Sequence, residues 1–136
     1  AYTLGTVFAL LADRSLQQAI AMQRFVRNVR RLGEPFYLVC GYGETGRLIC
    51  QALDRQGLRA VVIEKDESKV GEIDLHSYAA DVPAIAADAS NPETLQYAGL
   101  THPSCIGIIA LTNDDSANLA ISIAARLLAP RLPTLA

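Results

Sequence analysis

The string Gly41-Tyr42-Gly43-Glu44-Thr45-Gly46 constrains this chain more than any other feature, because of what flanks it. Before it stands a continuous apolar run of strand length, residues 36–40. After it comes a helical pattern through Leu53, stopped at Gly57. A G-x-G-x-x-G string placed between a strand and a helix has a physical reason for each glycine. Gly41 permits the tight turn, Gly43 lets a pyrophosphate approach the backbone, and Gly46 lets the helix pack close to the strand. The helix start then offers free N–H groups and a partial positive charge to an anion.

The rest of the chain repeats the alternation. Residues 59–64 form a second strand, rich in β-branched types, followed by a polar helix over about 67–77 and a third strand near 84–87. Asn91-Pro92 starts a helix that ends at Gly99, since Asn91 can cap and Pro92 lacks an N–H that would have no partner there. Residues 105–111 are a fourth apolar strand. Thr112 or Asn113 caps a last helix running to about residue 128, and residues 132–136 open a fifth strand. Strands that are apolar on both faces and separated by helices imply a parallel sheet covered on both sides. The fold class is therefore α/β, a Rossmann-type parallel sheet with helices on both faces.

A long amphipathic helix precedes this unit, over about residues 3–32. Its apolar stripe runs Leu4, Val7, Phe8, Leu11, Leu16, Ala19, Ile20, Phe25, Val26, Val29, Leu32, and Gly33 and Pro35 end it. The division is thus 1–33, a helix, and 34–136, the α/β domain. Residues 1–33 hold five arginines against Asp13 alone, a net of +4, which leaves −6 for the remainder of a chain whose total is −2. An acidic body is a poor match for nucleic acid, whose binding needs a basic face to displace counterions. The basic end suits a juxtamembrane or interface position. The apolar run over residues 1–12 is shorter than the roughly 20 residues that span a bilayer.

Glu64 closes the second strand 23 residues after Gly41, near the distance expected of the acid that holds a ribose 2′-OH. A carboxylate there accepts from the ribose hydroxyls and repels a 2′-phosphate, a preference that the adjoining Lys65 weakens. Glu44 argues the other way, since it sets a carboxylate beside the place for phosphates. It can instead satisfy helix N–H groups and point to solvent, leaving Thr45 and Arg47 nearer the ligand. Asp88, after the third strand, lies at the ligand-binding edge of the sheet and serves either a ligand or a turn. Cys40, Cys50 and Cys105 sit in apolar runs without C-x-x-C spacing and read as small buried hydrophobes. His76 and His102 are isolated, and surface or structural histidines. No nucleophile-plus-base pattern occurs, so the residues point to binding without catalysis.

Taken together, Tyr37-Leu38-Val39-Cys40-Gly41-Tyr42-Gly43, Val62-Ile63-Glu64-Lys65-Asp66-Glu67, Asp88-Ala89-Ser90, Ala98-Gly99-Leu100 and Ile109-Ala110-Leu111-Thr112-Asn113-Asp114-Asp115 resemble the RCK domain, also called KTN or TrkA-N. The resemblance covers residues 33–136. It implies a cytosolic regulatory module at the inner face of the cell membrane, attached to a potassium channel or transporter. Such modules pair with further copies of themselves as dimers or rings and couple ligand binding to gating. The implied ligands are NAD or NADH, ATP, ADP or AMP. On this resemblance Gly41, Tyr42, Gly43, Glu44, Thr45 and Gly46 form the pyrophosphate loop. Glu64 and Lys65 lie at the adenosine ribose, Asp88 and Ala89 near the adenine, and Thr112 and Asn113 near the distal half of the ligand. The first helix is then either the end of a pore-lining helix with a basic linker, or a helix that packs on its own domain or on a partner copy. The alternative in a different class is the cofactor-binding portion of an NAD-dependent oxidoreductase.

Overall fold

A computed structural model describes residues 3–136. Ala1 and Tyr2, which begin the apolar run 1–12, lie outside the described residues, as does the side chain of Leu11. Five parallel strands make one sheet: β1 (Phe36–Cys40), β2 (Arg59–Glu64), β3 (Ala84–Ala86), β4 (Cys105–Ala110) and β5 (Thr134–Leu135). Their order is β3-β2-β1-β4-β5. In register, Leu38 lies beside Val61 on one side and Ile108 on the other. The order reverses direction between β1 and β4, the switch point at which open α/β sheets bind ligands.

Period-two alternation along the strands feeds two cores. Phe36, Leu38 and Cys40 of β1, Val61 and Ile63 of β2, and Ile108 and Ala110 of β4 point to one face. There they meet α4 (Pro92–Tyr97), α5 (Asp115–Leu128) and the end of α1 (Leu4–Arg30). Val39, Ala60 and Val62 point to the other face, against Cys50 of α2 (Glu44–Arg55), Tyr42 and Ile73. Leu38, Phe36, Ile108 and Ile121 are at most 1% exposed, and full burial of such side chains stabilises by about 1.5–3 kcal/mol each.

Most elements fall where the sequence places them. Asn91 accepts from the Glu93 N–H at 3.0 Å, with Pro92 opening α4. Gly99, which follows that helix, has φ +104°, and a Cβ there would lie 2.9 Å from Val29. Two details differ. The polar helix expected to residue 77 is α-helical only over α3 (Glu67–Glu72) and tightens to a 3₁₀ turn over Ile73–Leu75, which buries Ile73 in the second core. The last helix is capped by neither Thr112 nor Asn113. Asp114 caps it, its Oδ1 accepting from Ser116 at 2.9 Å and from Ala117 at 3.3 Å, because Thr112 is already bonded to Asn118.

A third detail concerns α1, whose packing the sequence left open. Among the described residues its apolar stripe is buried only at the C-terminal end, where Phe25 and Val29 join the core and Phe25 meets Tyr97 edge-on at 6.3 Å. Leu4, Val7, Phe8, Leu10, Leu16 and Ile20 remain exposed. The helix packs against β3, the edge strand of the sheet. Arg14 lies 3.6 Å from Glu67 with both side chains largely in solvent, so that pair contributes little. Among the described residues no helix is long and apolar enough to cross a membrane.

Candidate functional site

The carboxyl ends of the strands hold a cleft of about 560 Å³. Its floor is the turn from β1 into α2. Gly41 has φ +110°, and a Cβ on it would lie 2.5 Å from the Leu111 carbonyl oxygen. This position needs glycine twice over, for its backbone angle and for the approach of the β4–α5 loop. Gly41 N–H donates to the Ile63 carbonyl at 2.8 Å, and Leu111 N–H to the Cys40 carbonyl at 2.7 Å. The loop is thereby fixed to both neighbouring strands. A Cβ on Gly46 would stand 2.1 Å from the Gly41 carbonyl oxygen, which is the close helix-to-strand contact expected of the third glycine.

Gly43 is different. Its φ of −78° and ψ of −161° are open to any residue, and a Cβ there would meet nothing within 4 Å. The fold gives no reason for glycine at 43. Gly43 is also the N-cap of α2 and supplies no side-chain bond. Among the described residues the other α-helices α1, α3, α4 and α5 are each capped by a side chain, from Thr3, Asp66, Asn91 and Asp114. The first N–H groups of α2 are left for another acceptor.

Glu64 is buried although it ends a strand at the cleft. Its Oε1 accepts from the Tyr42 N–H at 2.8 Å and its Oε2 from the Asp66 N–H at 2.5 Å. It is therefore no idle surface acid. A carboxylate has about four lone-pair positions, and these two bonds leave capacity for hydroxyl donors.

Of the residues singled out in the sequence, Gly41, Gly43, Glu44, Thr45, Glu64, Lys65, Asp88, Ala89, Thr112 and Asn113 line this one cleft. Tyr42 and Gly46 do not. The Tyr42 ring turns down into the second core, and Gly46 is spent on the contact with Gly41. Arg47 also stays out of the cleft. Glu44 opens α2 and is exposed. Asp88 makes an Asx turn, its Oδ1 accepting from the Ser90 hydroxyl at 2.6 Å and N–H at 2.9 Å. Those bonds, chiefly the one from the hydroxyl, hold its carboxyl below the ordinary range, with Lys65 adding to the effect. Sequence reasoning missed Asp66, Lys69, Ser90 and Asp114 as lining residues. Lys69 is the third residue of α3, the helix that leaves the carboxyl end of β2, and that placement is the signal that could have found it.

A wider groove of about 730 Å³ lies at the amino ends of β2 and β3, between them and α1. Arg24, Arg31 and Arg59 line it, but so do Glu34, Asp74 and Asp81. Arg59 is spent on Glu34 at 2.9 Å and on the Asp81 carbonyl at 3.0 Å. Its size exceeds that of the glycine-loop cleft, yet it has no uncapped helix start and no excess of one charge. Burial raises the Cys40 and Cys50 thiols to about 12, in keeping with their reading as small hydrophobes. Among the described residues no group of three or more His, Cys, Asp or Glu is arranged to hold a metal ion.

Residues 37–136 match the TrkA-N domain model. The chain is 23% identical over 132 residues to "Potassium channel protein 1" of Methanocaldococcus jannaschii, covering 97% of this chain and 38% of that protein. It thus spans well under half of that relative. Among solved structures it is similar to the TrkA-N domain of inner membrane protein ybaL from Escherichia coli, with 28% identity and a TM-score of 0.60 over 73% of this chain and 69% of that one. It is also similar to GsuK bound to ADP, with 26% identity and a TM-score of 0.59 over 84% of this chain and 28% of that one.

Proposed function

The chain belongs to the TrkA-N (RCK) family, and from that premise we propose that residues 34–136 are the adenine-nucleotide sensor of a potassium channel or transporter. The observation that carries this reading is Gly43. Neither its backbone angles nor its neighbours require glycine, whereas a pyrophosphate laid on the uncapped start of α2 does. Glu64, held by two backbone N–H groups, would accept from the ribose hydroxyls, and its charge disfavours a 2′-phosphate. Asp88 and Ala89 would border the adenine, and Thr112 and Asn113 the distal half of the ligand.

Charge narrows the ligand further. The cleft is lined by five carboxylates, Glu44, Glu64, Asp66, Asp88 and Asp114, against Lys65 and Lys69. NAD, whose own pyridinium offsets part of its pyrophosphate charge, suits such a cleft better than ATP. ADP and AMP stand between them. The relative bound to ADP supports an adenine nucleotide as the class.

Sensing without chemistry would work by population shift: a ligand shared by the loop, Glu64 and the β4–α5 loop favours one arrangement of paired domains. Leu119, Ile123 and Leu127, spaced along α5 and all exposed, support pairing with another copy. The projecting half of α1 supports a connection to a pore or transporter subunit, with the domain on the cytoplasmic side. The test is titration calorimetry of the chain with NAD, NADH, ADP, ATP and AMP, repeated with Glu64→Ala. NAD binding that Glu64→Ala weakens at least about tenfold, or 1.4 kcal/mol, supports the reading. No heat and no thermal stabilisation with any of the five overturns it.

A further inference from the structure

Tyr42 occupies the variable position between the first two glycines, yet its side chain leaves the cleft. The residue is 2% exposed, and its ring lies among Val39, Cys50, Val62 and Ile73. The hydroxyl ends 2.7 Å from His76 Nδ1 and 2.5 Å from the Tyr78 hydroxyl. The Tyr42 and His76 rings are 5.8 Å apart, and Tyr78 meets His76 edge-on. His76 and Tyr78 are half-buried. Two proton arrangements satisfy all three groups. Either Tyr42 donates to Nδ1 and accepts from Tyr78, or Nδ1–H donates to Tyr42, which donates to Tyr78.

The same residue is tied at its backbone. Tyr42 N–H donates to Glu64 Oε1, whose other oxygen accepts from Asp66 N–H. Asp66 caps α3 through the Ser68 N–H at 3.0 Å. The helix then runs through the 3₁₀ turn to His76 and back to the Tyr42 hydroxyl. Tyr42 thus closes a ring. It grips the segment 64–78 at both ends, and between those ends lie Lys65, Asp66 and Lys69, which line the cleft. A hydroxyl pulled from its partners would leave a buried polar group unsatisfied, so the loop cannot shift without cost on the far side of the sheet.

We propose that His76 and Tyr78 are positioning residues for the phosphate loop, acting through Tyr42. Neither touches the cleft, and neither would be found by searching its lining. They hold the Tyr42 side chain in place, which keeps the Tyr42 N–H aligned on Glu64 and keeps the Lys65–Lys69 side of the cleft set against the loop. The nucleotide role rests on the function proposed above, but the link between His76 and the loop can be measured without any nucleotide.

The experiment is amide hydrogen exchange by mass spectrometry on the ligand-free 136-residue chain, followed by calorimetry with ADP and NAD. The variants are Tyr42→Phe, His76→Phe and His76→Asn; in the last, the side-chain amide can set its oxygen or its NH₂ where Nδ1 stands, to accept or to donate. Tyr42→Phe and His76→Phe are expected to raise exchange about fivefold in peptides covering 41–46 and 65–78, the loss due to one partly buried hydrogen bond. Nucleotide affinity is expected to fall by a similar factor, and His76→Asn to restore both. Unchanged exchange over 41–46 in the two phenylalanine variants overturns the proposal. So does a rise spread evenly over β1, β4 and α5, which would mark a loss of general stability alone. Should the loop loosen as expected while the wild-type chain takes up neither nucleotide, the sensor reading falls, and His76 and Tyr78 keep a structural role only.

Discussion

Replacing Gly43 by alanine separates what the fold needs from what a ligand needs. The backbone at 43, φ −78° and ψ −161°, is one that alanine adopts freely, and its methyl would meet no atom within 4 Å. Restricting the unfolded chain stabilises by about 0.4–1 kcal/mol. Against this, Gly43 is an N-cap, where alanine is poorer than glycine by up to about 1 kcal/mol. The two nearly cancel, and at about 4 °C per kcal/mol for a chain of this size the melting temperature should move by less than about 2 °C. The ligand side has no such compensation. A phosphate oxygen that accepts from the first N–H groups of α2 must come to about 3 Å of the backbone, over the Cα that would now carry a methyl. Affinity should drop at least about tenfold, or 1.4 kcal/mol. Calorimetry gives both numbers, one from a thermal scan and one from a titration. Gly46→Ala is the contrasting control, because its Cβ would stand 2.1 Å from the Gly41 carbonyl oxygen and should destabilise by about 1–3 kcal/mol. If Gly43→Ala binds nucleotide as tightly as the parent chain, the glycine is not there for a ligand and the reasoning fails.

Asp114→Ala removes the two N–H acceptances that start α5 and should cost about 1 kcal/mol, read in a denaturant midpoint; Asn113→Ala should cost far less. The Asp88 carboxyl is held below its ordinary value by Ser90. Its contribution to stability is therefore complete above about pH 4 and fades as pH falls through the lowered folded value. Asp88→Asn should flatten the acid limb of a stability profile and change little at neutral pH; an unaltered acid limb would remove Asp88 from that role. With Cys40 and Cys50 raised to about 12 by burial and Cys105 raised as well, the native thiols should react with a disulfide reagent at about pH 8 only as the chain opens. Rapid labelling of the folded chain would contradict their burial.

The sheet was legible because each inner strand is an unbroken apolar run, as in Phe36 to Cys40 and Val61 to Ile63, which only a sheet covered on both faces accommodates. Gly41 and Gly46 were legible for the same local reason, since their constraints come from the turn itself. The cap of α5 was not. Thr112, Asn113 and Asp114 are three acceptable caps in a row, and the choice is made by Asn118, which binds Thr112 at its N–H and hydroxyl. The end of α3 was hidden for a similar reason: the polar run to residue 77 continues a helical pattern, but burying Ile73 and reaching Tyr42 with His76 require a tighter turn. His76 itself read as isolated because its partner is 34 residues away, beyond any spacing rule. The exposed half of α1 shows the opposite limit. Its apolar periodicity predicts a helix, and the same periodicity serves a buried stripe and an exposed one such as Leu4, Val7 and Phe8 alike.

The most direct test of the central claim is a titration of ¹⁵N-labelled chain with NAD and ADP, followed by the backbone amide resonances. The account predicts shifts gathered at Gly41, Gly43, Thr45, Lys65, Asp88 and Asn113, the residues that line the cleft at the carboxyl ends of the strands. Phe25, Val29 and Ile106, away from it, should stay unmoved. Shifts gathered instead around Arg24, Arg31 and Arg59 in the groove at the amino ends, or no saturable shifts with either nucleotide, would contradict it.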